Sequence, residues 1–531
     1  MAAAAADAAL PALIRGLQQP QAYPHPVGEI RLLQTHISWI LLTGTVAYKI
    51  KKPVDFGFVN FSNLERRRRC CHEEVRLNRR LTPWLYQGVV AIVGSPERPR
   101  LQATPRAEDS EPGEDEAPIL EYAVRMGQFP QEALLPAALA RGAVTRRHLD
   151  GLAERLARFH AAAATARPDG AFGTPAAVRQ PVLANVTSLL AHADPGLEHR
   201  LRRLQDWIAG SYGRLESRFA QRLASGRVRE CHGDLHLGNM LLLQDRIEVF
   251  DCLEFNAALR WIDVISDMAF LVMDLQERHC APQGWRLLNQ WLEHSGDYAG
   301  LELWAWYLSY RALVRAKVAA LGGDGAAVER YLALGESPGP PQPQALVLCH
   351  GVSGSGKSHH SAGLIEELGA IRLRSDVERK RLFGLWGQGD GEPRRGDPYA
   401  AAVGEELFER LLPELARPLL AAGFCVIVDA TFLRLRDRQT MAGLAAQAGV
   451  PLLILAFTAP RPLIEGRILQ RQQSGGDPSD ADLAVLAAQW ERLEPLTPAE
   501  RAAAIEVEPA TPVSSTAAAI RQRLLTPPAR S

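Results

Sequence analysis

Two stretches of this sequence carry side chains at spacings that suit the handling of phosphate. The first is His232-Gly233-Asp234-Leu235-His236-Leu237-Gly238-Asn239, followed by Asp251 after the short apolar run Val249-Phe250. Transfer of a phosphoryl group to a hydroxyl needs a carboxylate to orient and deprotonate the acceptor. It also needs oxygen ligands for the cations that neutralise the phosphates. Asp234, Asn239 and Asp251 form such a set, with Asn239 and Asp251 as the metal ligands. The second stretch is Gly351-Val352-Ser353-Gly354-Ser355-Gly356-Lys357-Ser358, directly after the apolar run Leu346-Val-Leu-Cys349. A glycine-rich turn between a buried strand and a helix lets backbone N–H groups curl round phosphates. Gly351, Ser353, Gly354, Ser355 and Gly356 would line that cradle, Lys357 would reach the β- and γ-phosphates, and Ser358 would offer its hydroxyl to Mg²⁺. Asp429, ending the apolar run Cys425-Val-Ile-Val, would hold the same metal through water.

The elements that must position these residues follow from periodicity. Gly335 to Gln344 (GESPGPPQPQ) is an extended connector, so residues 1–335 and 345–531 are expected as two domains with a linker at 336–344. In the first, Ile30 to Leu42 and Val46 to Ile50 read as short strands, Asn63 to Leu81 as a charged helix, and the chain beyond Leu134 as mainly helical. Ser95 to Pro118, with the acidic run Glu108 to Glu116, reads as a long solvated loop between strands. In the second, strands at Ala345–Cys349, Ile371–Leu373, Phe424–Val428, Leu452–Phe457 and Ile505–Val507 alternate with helices, the rhythm of a parallel sheet. The fold class expected is an α+β two-lobed domain followed by an α/β domain.

Composition excludes several classes. Sixty basic residues balance sixty acidic ones, so no overall field draws the chain to nucleic acid or an anionic membrane. No apolar run approaches the roughly 20 residues of a membrane helix, and no signal peptide is read at Met1 to Leu10. Seven cysteines without C-x-x-C spacing fit reduced thiols and a cytoplasmic location. Only six of the sixty basic residues are lysines, three of them Lys49, Lys51 and Lys52 and a fourth Lys357. A compact ammonium is thus kept where phosphate would be held.

The form H-G-D-L-H-x-x-N, with four residues between Asp234 and Asn239, resembles the aminoglycoside phosphotransferases and related small-molecule kinases of protein-kinase-like fold. The resemblance implies that Asp234 is the catalytic base, that Asn239 and Asp251 bind Mg²⁺, and that His232, His236 and Glu254 support the loop. It also implies a phosphate-gripping lysine in Val46-Ala-Tyr-Lys-Ile50, either Lys49 or Lys51 on the same strand face, with Lys49 preferred. Glu74 is its ion-pair partner, with Glu73 next in line, and Glu121-Tyr-Ala-Val124 is the hinge that meets adenine. Only Thr43-Gly44-Thr45 precedes Lys49 where a G-x-G-x-x-G loop would be. Arg311 and Arg315, four apart, suit an anionic acceptor or a surface helix paired with acids.

The second motif, continued by Ser375-Asp376-x-x-Arg379 and Val428-Asp-Ala-Thr-Phe432, resembles the gluconate kinase, polynucleotide 5′-kinase and zeta-toxin group of P-loop kinases. That likeness implies that Asp376 activates the acceptor hydroxyl. Arg467 and Arg471, one helical turn apart, are either lid arginines over the transferring phosphoryl group or a basic surface helix. The order of the halves resembles bacterial tandem aminoglycoside-phosphotransferase-like, ATP-binding proteins. Three functions remain open: a bifunctional ATP- and Mg²⁺-dependent phosphotransferase acting on small-molecule hydroxyls, a nucleic-acid 5′-hydroxyl kinase with an accessory N-terminal domain, and a non-catalytic nucleotide-sensing regulator.

Overall fold

The computed structural model describes residues 10–57, 59–103, 118–191, 193–340, 344–387, 389, 392–474 and 479–525. The acidic run at 108–116 and residues 341–343 of the expected linker lie outside them. By compactness the chain forms two units, Met1–Val144 with Arg229–Ile262, and Thr145–Val228 with Asp263–Ser531.

The first unit is built on a six-stranded antiparallel sheet: β1 (Arg31–Gln34), β2 (Ser38–Leu42), β3 (Val46–Lys51), β4 (Tyr86–Ser95), β5 (Arg98–Ala103) and β6 (Ile119–Gly127), in the order β1-β2-β3-β6-β4-β5. Alternation along β3 sorts its side chains. Val46, Tyr48 and Ile50 enter one core with Leu41, Ile92 and Ala123, whereas Ala47 enters another with Cys71 and Val75 of helix α1 (Leu64–Asn78). Lys49 and Lys51 therefore fall on the α1 side. Helix α1 begins at Asn63, whose side chain accepts from the Arg66 N–H at 2.9 Å. Its residues Cys71, Glu74, Val75 and Asn78 are buried at helical spacing.

Two expectations are corrected here. Ile30 to Leu42 is split into β1 and β2, because Thr35 Oγ1 accepts from the N–H groups of Ile37 (3.3 Å) and Ser38 (2.9 Å) and closes a turn. Ser95 to Pro118 does not start as a loop: the chain reverses after Ser95, and Arg98–Ala103 pairs antiparallel with β4, burying Leu101.

A second, smaller feature of this unit carries the first motif. Strands β7 (Met240–Leu243) and β8 (Arg246–Val249) form an antiparallel hairpin closed by Gln244 and Asp245, both at positive φ (49° and 59°). Two left-handed residues are what a tight two-residue turn between twisted strands requires.

In the second unit, helices occupy Arg146–Ala162, Pro175–Leu190, Pro195–Ala224, Val264–Glu277, Ala281–Ser295 (α2), Trp304–Leu321 and Gly325–Glu336. Arg311 is no surface or acceptor residue. It is buried, bonded from Nε to the Ser266 hydroxyl at 3.1 Å and stacked 4.8 Å from the Phe270 ring. The remainder is a five-stranded parallel sheet of β9 (Leu346–His350), β10 (Ile371–Arg374), β11 (Val426–Asp429), β12 (Leu452–Phe457) and β13 (Ala504–Val507) in the order β10-β11-β9-β12-β13. Its strands match the expected apolar runs, and helices on its faces include α3 (Lys357–Leu368). No described helix is long and apolar enough to cross a membrane.

Leu455, fully buried in the sheet core, anchors the strand beside the phosphate loop. Leu455→Ala is expected to destabilise this unit by about 2–5 kcal/mol, read as a lowered denaturant midpoint.

Candidate active sites

The hairpin explains the spacing of the first motif. Met240 pairs with Val249, and the Phe250 N–H donates to the Asn239 carbonyl at 3.0 Å, so the residues before β7 and after β8 return to one place. The Asn239 amide nitrogen donates to both the Asp234 carbonyl and Asp234 Oδ2, each at 3.0 Å. With its nitrogen so engaged, the amide has its oxygen as the atom it could offer to a metal. Two imidazoles hold the aspartate loop. His232 Nδ1 accepts from the Asp234 N–H (3.2 Å) and Nε2 donates to the Phe250 carbonyl (2.9 Å). His236 Nδ1 accepts from the Gly238 N–H (3.0 Å), which puts its proton on Nε2, facing Asp234 Oδ2 at 3.4 Å.

Asp251 sits at φ 63°, a strained conformation for a non-glycine residue. Three side chains hold it there. The Tyr86 hydroxyl accepts from the Asp251 N–H at 3.1 Å, Asn78 Oδ1 accepts from the Cys252 N–H at 2.8 Å, and the Thr82 hydroxyl donates to the Val249 carbonyl. Sequence reasoning missed all three, since none is near the motif in the chain.

Opposite lies a buried charge cluster. Lys49 donates to Glu74 Oε1 at 2.8 Å and to Asp251 Oδ1 at 2.5 Å. Lys51, with no exposed surface, is bonded to Glu74 and Glu254. Burial pushes the Glu74 carboxyl up, but the two ammoniums outweigh it and hold it down near about 2. Burial likewise opposes the charge on Lys49, yet Asp251, Glu74 and Glu254 hold that ammonium well above its ordinary range. For Glu254 burial prevails over Lys51, and its carboxyl is raised. Two cations face three carboxylates, so the cluster suits a further cation. Glu73, the other candidate partner, points elsewhere, to Arg76 and Arg260.

The expected hinge, Glu121–Val124, lies within β6. Ala123 and Val124 are paired on one edge with Ile50 and Lys49 and on the other with Val90 and Val89. The Glu121 carboxylate is taken by Arg67 Nε at 2.8 Å and by the Tyr122 N–H. The backbone groups of Ala123 and Val124 are thereby taken up within the sheet.

The second motif forms a cleft of about 290 Å³ lined by Lys357, Ser358, Asp376, Asp429, Arg467 and Arg471 among others. Gly351, Gly354 and Gly356 lie at φ 144°, 81° and 107°. A Cβ on Gly354 would also stand 3.0 Å from the Ile464 carbonyl, so both conformation and space require glycine there. Lys357 donates to the carbonyls of Gly351 (2.9 Å) and Val352 (2.8 Å), and burial lowers its ammonium. Ser355 Oγ is buried without a partner among the described residues, and a phosphate oxygen would satisfy it. Ser358 and Asp429 supply the hard oxygen donors that Mg²⁺ takes. Asp376 opens helix α4 (Ser375–Leu382), just past the end of β10, and β10 pairs Arg374 with Asp429.

Arg467 and Arg471 project from α5 (Arg461–Ser474) into this cleft rather than lying on an isolated surface. Arg467 donates to the Gly354 carbonyl at 3.3 Å and Arg471 to the Ala481 carbonyl at 2.8 Å. Sequence reasoning missed Gln489 of α6 (Leu483–Glu491), which accepts from the Ser353 N–H at 2.7 Å and donates to its hydroxyl at 3.0 Å.

Comparisons with known proteins divide the chain between two families. Residues 99–304 match the family described as "Phosphotransferase enzyme family" and residues 346–496 the one described as "AAA domain". Proteins of Mycobacterium bovis and Mycobacterium tuberculosis, each described as uncharacterized, are 30% identical over 495 residues, covering 90% of this chain and 95% of theirs. Among solved structures, a choline/ethanolamine kinase family protein from Mesorhizobium loti is 13% identical, covering 61% of this chain and 94% of its own, with a TM-score of 0.36. A sugar kinase from Janibacter is 22% identical, covering 35% and 97%, with a TM-score of 0.25.

Glu74→Gln leaves two buried ammoniums short of a counter-charge and is expected to cost about 3–5 kcal/mol. Because the native carboxyl is held low, its contribution is complete above the ordinary carboxylate range and is lost as pH falls toward about 2. Chemical denaturation across that acid range should show the wild type losing stability more steeply than the variant.

Proposed function

The chain belongs to the same family as the mycobacterial proteins that match it almost end to end, and from its phosphotransferase-family segment followed by an AAA segment we propose that it is a bifunctional ATP-dependent phosphotransferase. Residues 1–335 and 345–531, joined at 336–344, each transfer the γ-phosphoryl group of ATP to a hydroxyl of a small molecule in the cytoplasm. The observation that carries this reading is that each half gathers the same three parts from separate places in the sequence: a lysine, a carboxylate for the acceptor, and oxygen donors for a metal.

In the first centre Lys49, steadied by Glu74, takes the α- and β-phosphates. Asp234, fixed by Asn239 and His236, orients the acceptor and receives its proton. The acceptor oxygen bonds to the γ-phosphorus as the bond to the β–γ bridging oxygen breaks, and ADP leaves. In the second, the Gly351–Gly356 cradle and Lys357 hold the phosphates, Asp376 receives the proton, and Arg467 and Arg471 neutralise the group in transfer. Asn239 with Asp251, and Ser358 with Asp429, would hold Mg²⁺, which when bound neutralises phosphate charge. Nucleotide entry at the second centre requires Gln489 to give up the Ser353 N–H.

The test is a metabolite extract incubated with labelled ATP and full-length protein. Asp234→Asn should depress one labelled product by about 10²–10⁴-fold, the usual contribution of a general base. Lys357→Ala should remove a different one. A 5′-hydroxyl oligonucleotide is included as an alternative acceptor for the second centre. Retention of every product by both variants would overturn the reading.

A further inference from the structure

The edge of the parallel sheet is finished by a helix from outside the P-loop segment. Asn289 of α2 accepts from the Arg372 N–H at 2.7 Å and donates to the Ala370 carbonyl at 2.9 Å. Its side-chain amide thus pairs with β10 as a residue of a sixth strand would. One helical turn on, Glu293 is 1% exposed and accepts from Arg372 at 3.0 and 2.6 Å and from Arg374 at 3.4 Å. The two arginines are two residues apart and so share a face of β10.

Both lead to the phosphate site. Arg372 Nη1 donates to the Ser358 carbonyl at 3.1 Å and to Ser361 Oγ at 3.3 Å. Arg374 Nε stands 3.6 Å from Asp429 Oδ2, and Ser361 Oγ donates to that same oxygen at 3.4 Å. The chain of contacts therefore runs from Glu293 to the two residues that offer oxygen to a metal. Charge decides what Glu293 does there. Glu293 and Asp429 both face these guanidiniums. If Glu293 lost its charge, one of the anions that hold Arg374 away from Asp429 would be gone, and the attraction between Arg374 and Asp429 would strengthen. A guanidinium drawn onto Asp429 competes with a divalent cation for the same lone pairs.

We propose that Glu293 is a positioning residue for the second centre: by holding Arg372 and Arg374, it keeps the Asp429 carboxylate available to the metal that accompanies the nucleotide. This rests on reading that centre as a metal–nucleotide site. It makes the P-loop segment dependent on a side chain supplied from residues 281–295, so the two segments are linked by chemistry as well as by a connector.

The experiment uses the full-length chain and a fluorescent ATP analogue titrated with and without Mg²⁺. Binding to the second centre is taken as the part that Lys357→Ala removes. Wild type should bind more tightly with Mg²⁺. Glu293→Gln should lose about tenfold of that Mg²⁺ effect, the scale of change when a partner of a metal ligand is removed, with metal-free binding little altered. Glu293→Gln combined with Arg374→Gln, which removes the competing cation together with its counter-charge, should recover it. A Mg²⁺ effect in Glu293→Gln equal to wild type would overturn the proposal, as would a double variant no better than the single one. If Glu293→Gln does not fold, Arg374→Gln alone takes its place: it removes the guanidinium that would compete for Asp429, so its Mg²⁺ effect should be at least that of wild type, and a weaker one overturns the proposal. Absence of any Lys357-dependent binding in wild type would instead remove the second-centre reading itself.

Discussion

A cation taken out of water must be matched by an anion within reach, or it costs several kcal/mol. Both centres are organised round that requirement. Lys49 and Lys51 lie under helix α1 because β3 alternates, and once there they need Glu74, Glu254 and Asp251 around them. The match fixes helix to sheet and Asp251 to both. In the other unit, Arg372 and Arg374 share one face of an edge strand and meet Glu293 and Asp429. In each case a residue expected to hold a metal is one corner of a charge arrangement that must also be satisfied by the fold.

Two imidazoles at the first centre are likewise fixed by what surrounds them. His232 and His236 each accept from a backbone N–H, which decides where the remaining proton lies. Each ring then becomes a rigid strut between backbone and loop. Asp234, held by Asn239 and faced by His236, is left part-exposed.

The parallel sheet was legible because apolar runs of strand length recur between helical stretches, and the position of every strand followed from them. That Asp234, Asn239 and Asp251 come together was legible from their spacing and from the likeness of H-G-D-L-H-x-x-N to small-molecule kinases, although the reason for that spacing, a hairpin with a two-residue turn, was not. Arg98–Ala103 escaped because Pro96, Pro99 and two arginines hide an alternation that buries Leu101. Arg311 was misjudged because charge suggests a surface, whereas a planar guanidinium packs well on aromatic rings. The pairing of Ala123 and Val124 on both edges was not legible, because an apolar run does not reveal which of its edges will be paired. Asn289, Glu293 and Gln489 carry no local signal, since each acts on a segment about eighty or more residues away in the chain.

The hairpin between Asn239 and Asp251 has a consequence for how such a chain can vary in length. Its tip is remote from the base where the two residues meet, so residues can be added or lost there without disturbing them. An even change lengthens both strands by equal steps and keeps Met240 opposite Val249. An odd change is taken up in the turn itself, as a three-residue loop in place of a two-residue one, and leaves the same pair at the base. The interval between Asn239 and Asp251 is thus free to vary in length while its two ends stay together.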